Sequence, residues 1–420
     1  MLHSIKFILK TIKNNKIILE NYFFMTITQF LNSLFYILIY PFIINRLGVE
    51  NYGIYIFDLS IVTYFIVLIS FGFDLPSLST VSKNPNNNII KSRVVSQVLS
   101  AKIYLFFLAT LFFIFFILLS TSNNQQILIY IIIYCQAIMF VLVPTWYFQG
   151  IQKMKIITYI QVVFKILSLP FILIFINNQN DLILFTIIMT SSVVFSGVTI
   201  FVYLIYFEKL NILFLPLKYT KQTIKESIPF FWSTSTGIIK QQSTNVLIGF
   251  FFGMNEVAYY DLASKIILLP QSITMSINNV LFPRIVNSDN IDSVLVKKII
   301  KYEIYFGLFI VGLIAIFGKY VVIFLGGEKM ILSYHITLLL SFTIITWLIV
   351  GCYINFIFVP QKKYKIISNN QFVAFFVYII ISLGGLFIYK NIYIVVIATV
   401  ISGISEVIYC KYLINKYKFI

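Results

Sequence analysis

Apolar runs of about 20 residues recur twelve times along this chain, and that length is what an α-helix needs to cross the roughly 30 Å hydrocarbon core of a bilayer. The runs are Tyr22 to Ile44, Gly53 to Leu75, Val98 to Ser120, Ile127 to Phe148, Ile156 to Phe175 and Leu182 to Phe207. They continue as Ile228 to Phe252, Val257 to Phe282, Ile304 to Leu325, Ile331 to Val359, Ile366 to Tyr389 and Ile392 to Leu413. In hydrocarbon each backbone group must find its partner within the protein, so a run of this kind is a helix. The expected fold class is therefore all-α and integral to a membrane, with about 12 transmembrane helices. Composition agrees: 60% of the residues are hydrophobic and 11% charged, against about 45–50% and about 25% in soluble domains. No connection exceeds about 20 residues, which leaves no room for a folded soluble domain. The first run contains Gln29, Asn32 and Ser33 and no small-residue cleavage site, so it reads as a retained helix rather than a secretory signal.

The few charges are lopsided, with 31 Lys and Arg against 14 Asp and Glu and a net charge of +17. In a soluble chain that excess would suggest nucleic acid. Here its distribution reports topology instead, and no nucleic-acid partner is expected. Arg46, Lys329 and Lys390 fall on one face, and Lys165, Lys240, Lys265 and Lys319 fall inside spans; the other 24 of the 31 lie on the opposite face. These include Lys6, Lys10, Lys13 and Lys16 before the first run, Lys83, Lys91 and Arg93 before the third with Lys102 counted beside them at its start, Lys362, Lys363 and Lys365 before the eleventh, and Lys418 near the end. Cytoplasmic loops collect Lys and Arg, so both termini are expected in the cytoplasm, which for a bacterial protein means the inner membrane.

Cofactor chemistry has little support. Cys135, Cys352 and Cys410 form no CxxC, neither His3 nor His335 sits in an HExxH, and no GxxxxGK[ST] loop is present. No metal or bound cofactor, no direct nucleotide hydrolysis and no enzymatic activity are expected.

The halves of the chain repeat. An offset of 205 residues lays Gly48 on Gly253, Gly53 on Ala258, Tyr55 on Tyr260 and Ile61 on Ile266, through the turn between the first and second helix of each six-helix half and on into the second helix. An even number of spans per half makes the repeat parallel, about an axis along the membrane normal, and transporters of this design place substrate between the halves. The expected division is a bundle over 1–208, a cytoplasmic linker over 209–226 and a second bundle over 227–420.

At this point particular residues resemble a known family. Asn45-Arg46-Leu47-Gly48 followed by Glu50-Asn51-Tyr52-Gly53-Ile54-Tyr55, Phe71-Gly72-Phe73-Asp74, and above all Pro144-Thr145-Trp146-Tyr147-Phe148-Gln149-Gly150 are similar to segments of the Wzx polysaccharide flippases. That family belongs with the MATE exporters and the lipid II flippase MurJ. The resemblance implies transport of an undecaprenyl-pyrophosphate-linked glycan repeat unit from the cytoplasmic to the periplasmic leaflet, for O-antigen or capsule assembly. It also implies membrane lipid as surroundings and the pathway's polymerase and chain-length regulator as partners. A flippase needs a polar, cationic cavity for the head group, because stranded charge and hydroxyls cost several kcal/mol each in hydrocarbon.

Charges within spans are the natural site candidates, each costing about 2.5–3.5 kcal/mol to insert. Lys240 ranks first, on a stripe with Ser233, Thr236 and Thr244; Gln29, Asn32 and Tyr36 form a matching stripe on the first helix, and the two are expected to face each other. Lys165 follows, either neutralising phosphate or buried against a carboxylate of its own bundle. Lys265 has Asp261 four residues earlier, giving either a local structural pair or a cavity-facing, proton-responsive one. Arg46 suits pyrophosphate geometry but equally suits a turn contact. Asp58, Asp261 and Glu406 are the candidates for coupling transport to a proton or sodium gradient. The rival readings are a MATE-like multidrug exporter, whose cationic drugs Lys165 and Lys240 would repel, and a membrane polysaccharide polymerase, which normally needs a large external loop.

Overall fold

The computed structural model describes residues 16–120, 123–286, 293–361 and 363–417. Lys6, Lys10, Lys13, Lys362 and Lys418 of the charge pattern lie outside them. Every regular element among the described residues is helical: α1 (Lys16–Leu47), α2 (Val49–Ser70), α3 (Asp74–Lys83), α4 (Asn88–Leu119), α5 (Asn124–Tyr134), α6 (Ala137–Leu142), α7 (Thr145–Gly150), α8 (Met154–Phe175) and α9 (Leu182–Tyr206). The second half follows as α10 (Leu217–Phe252), α11 (Met254–Val286), α12 (Ser293–Gly326), α13 (Leu332–Tyr353), which continues as a π-helical turn over Ile354–Phe358, α14 (Tyr364–Ile388) and α15 (Ile392–Tyr417).

Ten helical stretches among the described residues are long and apolar enough to cross a membrane, rather than the twelve expected. The two others are α10 and α11. At 36 and 33 residues they have ample length, but Lys240, Gln241, Gln242, Asp261, Lys265 and Gln271 dilute their apolar character. A helix that polar belongs against protein or a water-filled cavity rather than lipid. Its packing agrees, because α11 lies against α1 and α2, and α10 against α2 and α4, so these two helices form much of the contact between the halves.

The repeated turns share a backbone shape. Gly48 and Gly253 both take positive φ, 83° and 110°, with extended ψ of 164° and 179°, a region open essentially to glycine alone. Each reverses the chain between the first two helices of its half. Just beyond, Gly53 of α2 meets the backbone of Met254 at the start of α11 so closely that any Cβ there would collide with the Met254 carbonyl. At the other end of α2, the Phe71 ring stacks on Phe231 of α10, with centroids 4.6 Å apart.

The fourth span is broken into α5, α6 and α7. Pro144 has no N–H, so it cannot make the helical bond to the carbonyl of Phe140 four residues before it. Lys102 supplies the missing donor: its Nζ lies 2.9 Å from Phe140 O and the side chain is buried. The topological count placed Lys102 in a basic loop; it belongs instead to the interior of α4, where its charge repairs a neighbouring helix.

The connection between the halves is also more ordered than a linker over 209–226 implies, because residues 217–226 already belong to α10. The extended stretch before α10 is laced to α4. The N–H groups of Asn211, Leu213 and Leu215 donate to the hydroxyls of Ser92, Ser96 and Ser100 at 3.1, 3.0 and 2.9 Å. The geometry matches because two extended residues advance about 6.6 Å and four helical residues about 6 Å. Tyr104, one helical step further, donates its hydroxyl to Leu215 O.

Lys102→Met should leave Phe140 O unpaired and lower the stability of the purified protein by roughly 1–3 kcal/mol. Pro144→Ala, which returns an N–H to that position, should lessen the loss. Thermal unfolding of the single and double variants checks this, and strictly additive effects would contradict the assigned repair.

Candidate functional site

The site grows from one face of α11. Asp261 and Lys265 are four residues apart and so share that face, with Leu268 about one turn and Gln271 nearly two turns further along. Lys265 Nζ lies 2.5 Å from Asp261 Oδ2. The pair is not only local, for Tyr52 of α2 donates its hydroxyl to the same Asp261 oxygen at 2.8 Å and accepts from Lys265 Nζ at 2.5 Å. Beside it the buried Tyr40 of α1 donates to Ala258 O at 3.1 Å. Three side chains from opposite halves thus close a hydrogen-bonded ring near the glycine turns. Lys265 also sits 4.5 Å from the centroid of the Tyr36 ring and 5.2 Å from that of Tyr52, within the range where an aromatic face attracts a cation.

Between the halves, next to this ring, lies a cavity of about 360 Å³ lined by Gln29, Asn32, Ser33 and Tyr36 of α1, Lys265 and Gln271 of α11, and Trp347 of α13. Asn32 Oδ1 is buried there with no hydrogen-bond partner among the described residues. At 1.5 Å per residue, Tyr36 is about 16 Å and Gln29 about 27 Å along α1 from Leu47. The cavity therefore runs from mid-helix away from the glycine turns, where the Tyr52–Asp261 ring closes it off.

Lys165 of α8 stands beside Tyr36, next to the lining rather than on it. Its Nζ stands 5.3 Å from the centroid of the Phe35 ring and 5.1 Å from that of the Tyr36 ring, which Lys265 also approaches. Sharing that ring keeps the two ammonium groups within about 10 Å, where like charges still repel in a low-dielectric interior. No carboxylate pairs with Lys165 among the described residues, so the alternative of burial against an acid of its own bundle does not hold. Among the described residues Lys265 is the charged side chain on this cavity's lining, and with Lys165 near it against Asp261 the surroundings carry a net positive charge.

A second cavity of about 370 Å³ lies within the C-terminal half, and shares Lys265, Leu268, Gln271 and Trp347 with the first. It contains Lys240 and Glu406. Lys240 Nζ is 2.7 Å from Glu406 Oε1 and 3.2 Å from Ser402 Oγ, so the lysine ranked first for phosphate is already neutralised. Glu406, expected as a coupling acid, is its partner.

The two polar stripes do not face each other. Gln29, Asn32 and Tyr36 line the cavity between the halves, whereas Lys240 and Thr244 line the one inside the C-terminal half. Ser233 and Thr236 line neither; the Thr236 hydroxyl bonds back to Trp232 O. The polar side of α10 is divided among several neighbours, with Ser243 meeting Tyr64 and Asn245 donating to Ser60 of α2. Helical spacing identified the stripe but not its partners, and α11 is the helix that actually faces α1 across the cavity.

The remaining candidates lie apart. Asp58 is fully buried and accepts from Gln126 Nε2 at 3.1 Å, within the N-terminal half. Arg46 is exposed; its guanidinium reaches Asn177 O at 3.4 Å and lies 5.6 Å from the Phe42 ring, which is the turn contact rather than a cavity position. The Trp146-Tyr147-Phe148 segment forms core. All three rings are buried, and Tyr147 donates to Glu208, which also pairs with Lys153 at 2.6 Å. Tyr52, Gln271 and Trp347 were not singled out as site residues from sequence. Gln271 had a usable signal, being a polar residue in step with Lys265 and Leu268 on a helix of otherwise apolar surroundings.

Comparison with known proteins agrees with this architecture. The family described as "Polysaccharide biosynthesis protein" matches residues 18–289, and the chain belongs to that family. A "Putative O-antigen transporter" of Escherichia coli (strain K12) is 24% identical over 273 residues, 64% of this chain and 66% of the relative, so slightly less than two thirds of that protein is matched. Another of that name from Shigella dysenteriae is 24% identical over 345 residues, covering 80% of this chain and 85% of the relative. Among solved structures, the lipid II flippase MurJ in an inward closed conformation superimposes with a TM-score of 0.70 at 16% identity, over 94% of this chain and 86% of that one. An inward-facing MATE multidrug transporter of the MOP superfamily gives 0.64 at 12% identity, over 93% and 95%. The fold is thus the MATE/MurJ one, as the Wzx resemblance implied.

Tyr52→Phe and Asp261→Asn each remove part of the ring that joins the halves. Their stability losses should fall short of additivity by about 0.5–3 kcal/mol, as for residues of one network. Thermal unfolding of the purified singles and double checks this; independent, additive losses would show that Tyr52 and Asp261 do not act together.

Proposed function

We propose that this protein moves an undecaprenyl-pyrophosphate-linked oligosaccharide from the cytoplasmic to the periplasmic leaflet of the inner membrane, by alternating access and at the expense of an ion gradient. The observation that carries this reading is the cavity between the halves with Lys265 on its lining and Lys165, which has no carboxylate partner among the described residues, close by across the Tyr36 ring. A pyrophosphate entering such a cavity exchanges water for charge-assisted hydrogen bonds, which are roughly twice as strong as neutral ones. The lipid tail has no such need and remains in the bilayer.

The direction of loading follows from two features taken together. The cavity is shut at the end of the Gly48 and Gly253 turns by Tyr40, Tyr52 and Asp261, and extends toward Gln29 at the other end. The basic connections lie at that other end, which the positive-inside rule assigns to the cytoplasm. Substrate would therefore be collected from the cytoplasmic leaflet. The names of the two O-antigen transporters support the same substrate class. Export of cationic drugs fits less well, because Lys165 and Lys265 would repel them.

Asp58 is the acid best placed to couple transport to protons or sodium, because it is buried without a basic partner among the described residues. Asp261 and Glu406 are each held by a lysine.

Lys165→Ala and Lys265→Ala should each reduce surface polysaccharide at least tenfold, with normal amounts of protein in the membrane and build-up of the lipid-linked unit inside the cell. Gene deletion should give the same accumulation. Extraction and mass analysis of lipid-linked glycans together with polymer staining measure both. Wild-type polymer in both lysine variants would refute the cavity's role, and an unchanged glycan pool with altered drug tolerance on deletion would favour export of drugs.

A further inference from the structure

The two adjoining cavities differ in chemistry, and we infer that the one inside the C-terminal half is a subsite for the uncharged sugars next to the pyrophosphate, with Trp347 on the wall shared by both. The inference rests on the transport reading above and adds to it where the glycan sits and which side chains select it.

Charge separates the cavities first. The one between the halves has Lys265 as the charged side chain on its lining, with Lys165 close by across the Tyr36 ring, whereas the C-terminal one is lined by Lys240 and Lys265 with Glu406 and Asp261, pairs whose charges cancel at 2.7 and 2.5 Å. An anion placed in the second cavity would meet the Glu406 carboxylate as well as the lysine. A neutral polar ligand meets a fixed pair with no net charge.

Hydrogen bonding separates them again. The hydroxyls of Thr343, Thr346 and Thr399 spend their protons on backbone carbonyls of their own helices, at 2.6, 3.1 and 2.6 Å. What they can turn to a ligand is lone pairs, which accept from hydroxyl groups and do nothing for phosphate oxygens. Gln241 and Gln271 have no side-chain partner among the described residues and offer both donors and acceptors. A sugar is the ligand that matches such a lining, since each of its hydroxyls both donates and accepts.

The third element is apolar. Trp347 lines both cavities, and an indole face suits the C–H face of a pyranose as the amides and hydroxyls suit its rim. At about 370 Å³ the cavity lies within the range of roughly 300–1,000 Å³ common to small-molecule sites. Because Lys265 and Trp347 border both spaces, a pyrophosphate at Lys165 and Lys265 has its first sugar beside Trp347 and the next toward Gln241.

The test uses the full-length chain in lipid nanodiscs and two probes titrated separately by calorimetry. One is inorganic pyrophosphate; the other is the oligosaccharide repeat released by hydrolysis from the surface polysaccharide of the source cells. Wild type should bind both. Gln241→Ala and Trp347→Ala should weaken oligosaccharide binding at least tenfold, with Trp347→Phe retaining more of it than Trp347→Ala. Gln241→Ala should bind pyrophosphate within twofold of wild type, which also shows that the variant is folded. Oligosaccharide binding that is absent in wild type, or unchanged in Gln241→Ala and Trp347→Ala, would overturn the subsite while pyrophosphate binding upheld the transport reading. Failure of wild type to bind pyrophosphate would overturn the transport reading itself, and the subsite with it.

Discussion

A charge inside a membrane protein is costly unless protein groups surround it, and here one charge is shared between the two halves. Lys265 is held by Asp261 on its own helix and by Tyr52 on the facing half, while its ammonium borders both cavities. The same side chain therefore closes one end of the molecule and offers charge to what lies within. An anion that engages Lys265 competes with Asp261 for it. On the proposed transport function, ligand binding and the contact between the halves are linked through one ammonium group, as alternation between two openings requires.

The rest of the architecture can be understood as making that arrangement possible. α10 and α11 carry polar residues that would be unfavourable against lipid, and the other helices shelter them. Gly53 lets α2 and the start of α11 come into backbone contact, which brings Tyr52 within reach of Asp261. The extended segment pinned to Ser92, Ser96 and Ser100 fixes where the second half begins relative to α4. A motion between the halves has this belt as a fixed point rather than a slack tether.

Much of the fold was legible because the bilayer imposes a simple rule on sequence. Length and apolarity located the helices, and Gly48 and Gly253 marked the repeated turn by a backbone shape that other residues resist. The two helices that fail the apolar criterion are those that carry the site, so the weakest part of the hydropathy signal was the most informative functionally. The i,i+4 pair of Asp261 and Lys265 was readable for the same reason, being local. Lys240 and Glu406 are 166 residues apart, and no spacing rule joins them; both were chosen as buried charges, without any means of recognising that they neutralise each other. Lys102 was misplaced because its role depends on a proline in another helix. Tyr52 was visible only as part of a turn motif, and its second function needs the opposite half to be in place.

The central claim is that the cationic cavity between the halves carries a pyrophosphate head across the membrane. Its most direct test is reconstitution of the purified chain in liposomes holding a prenyl-pyrophosphate-linked oligosaccharide in one leaflet, with arrival in the other followed by access to an added glycosidase, under an imposed ion gradient. Transfer by the wild-type protein that falls at least tenfold in Lys165→Ala is the predicted result. Transfer no faster than in protein-free liposomes, or equally fast without Lys165, would contradict the account.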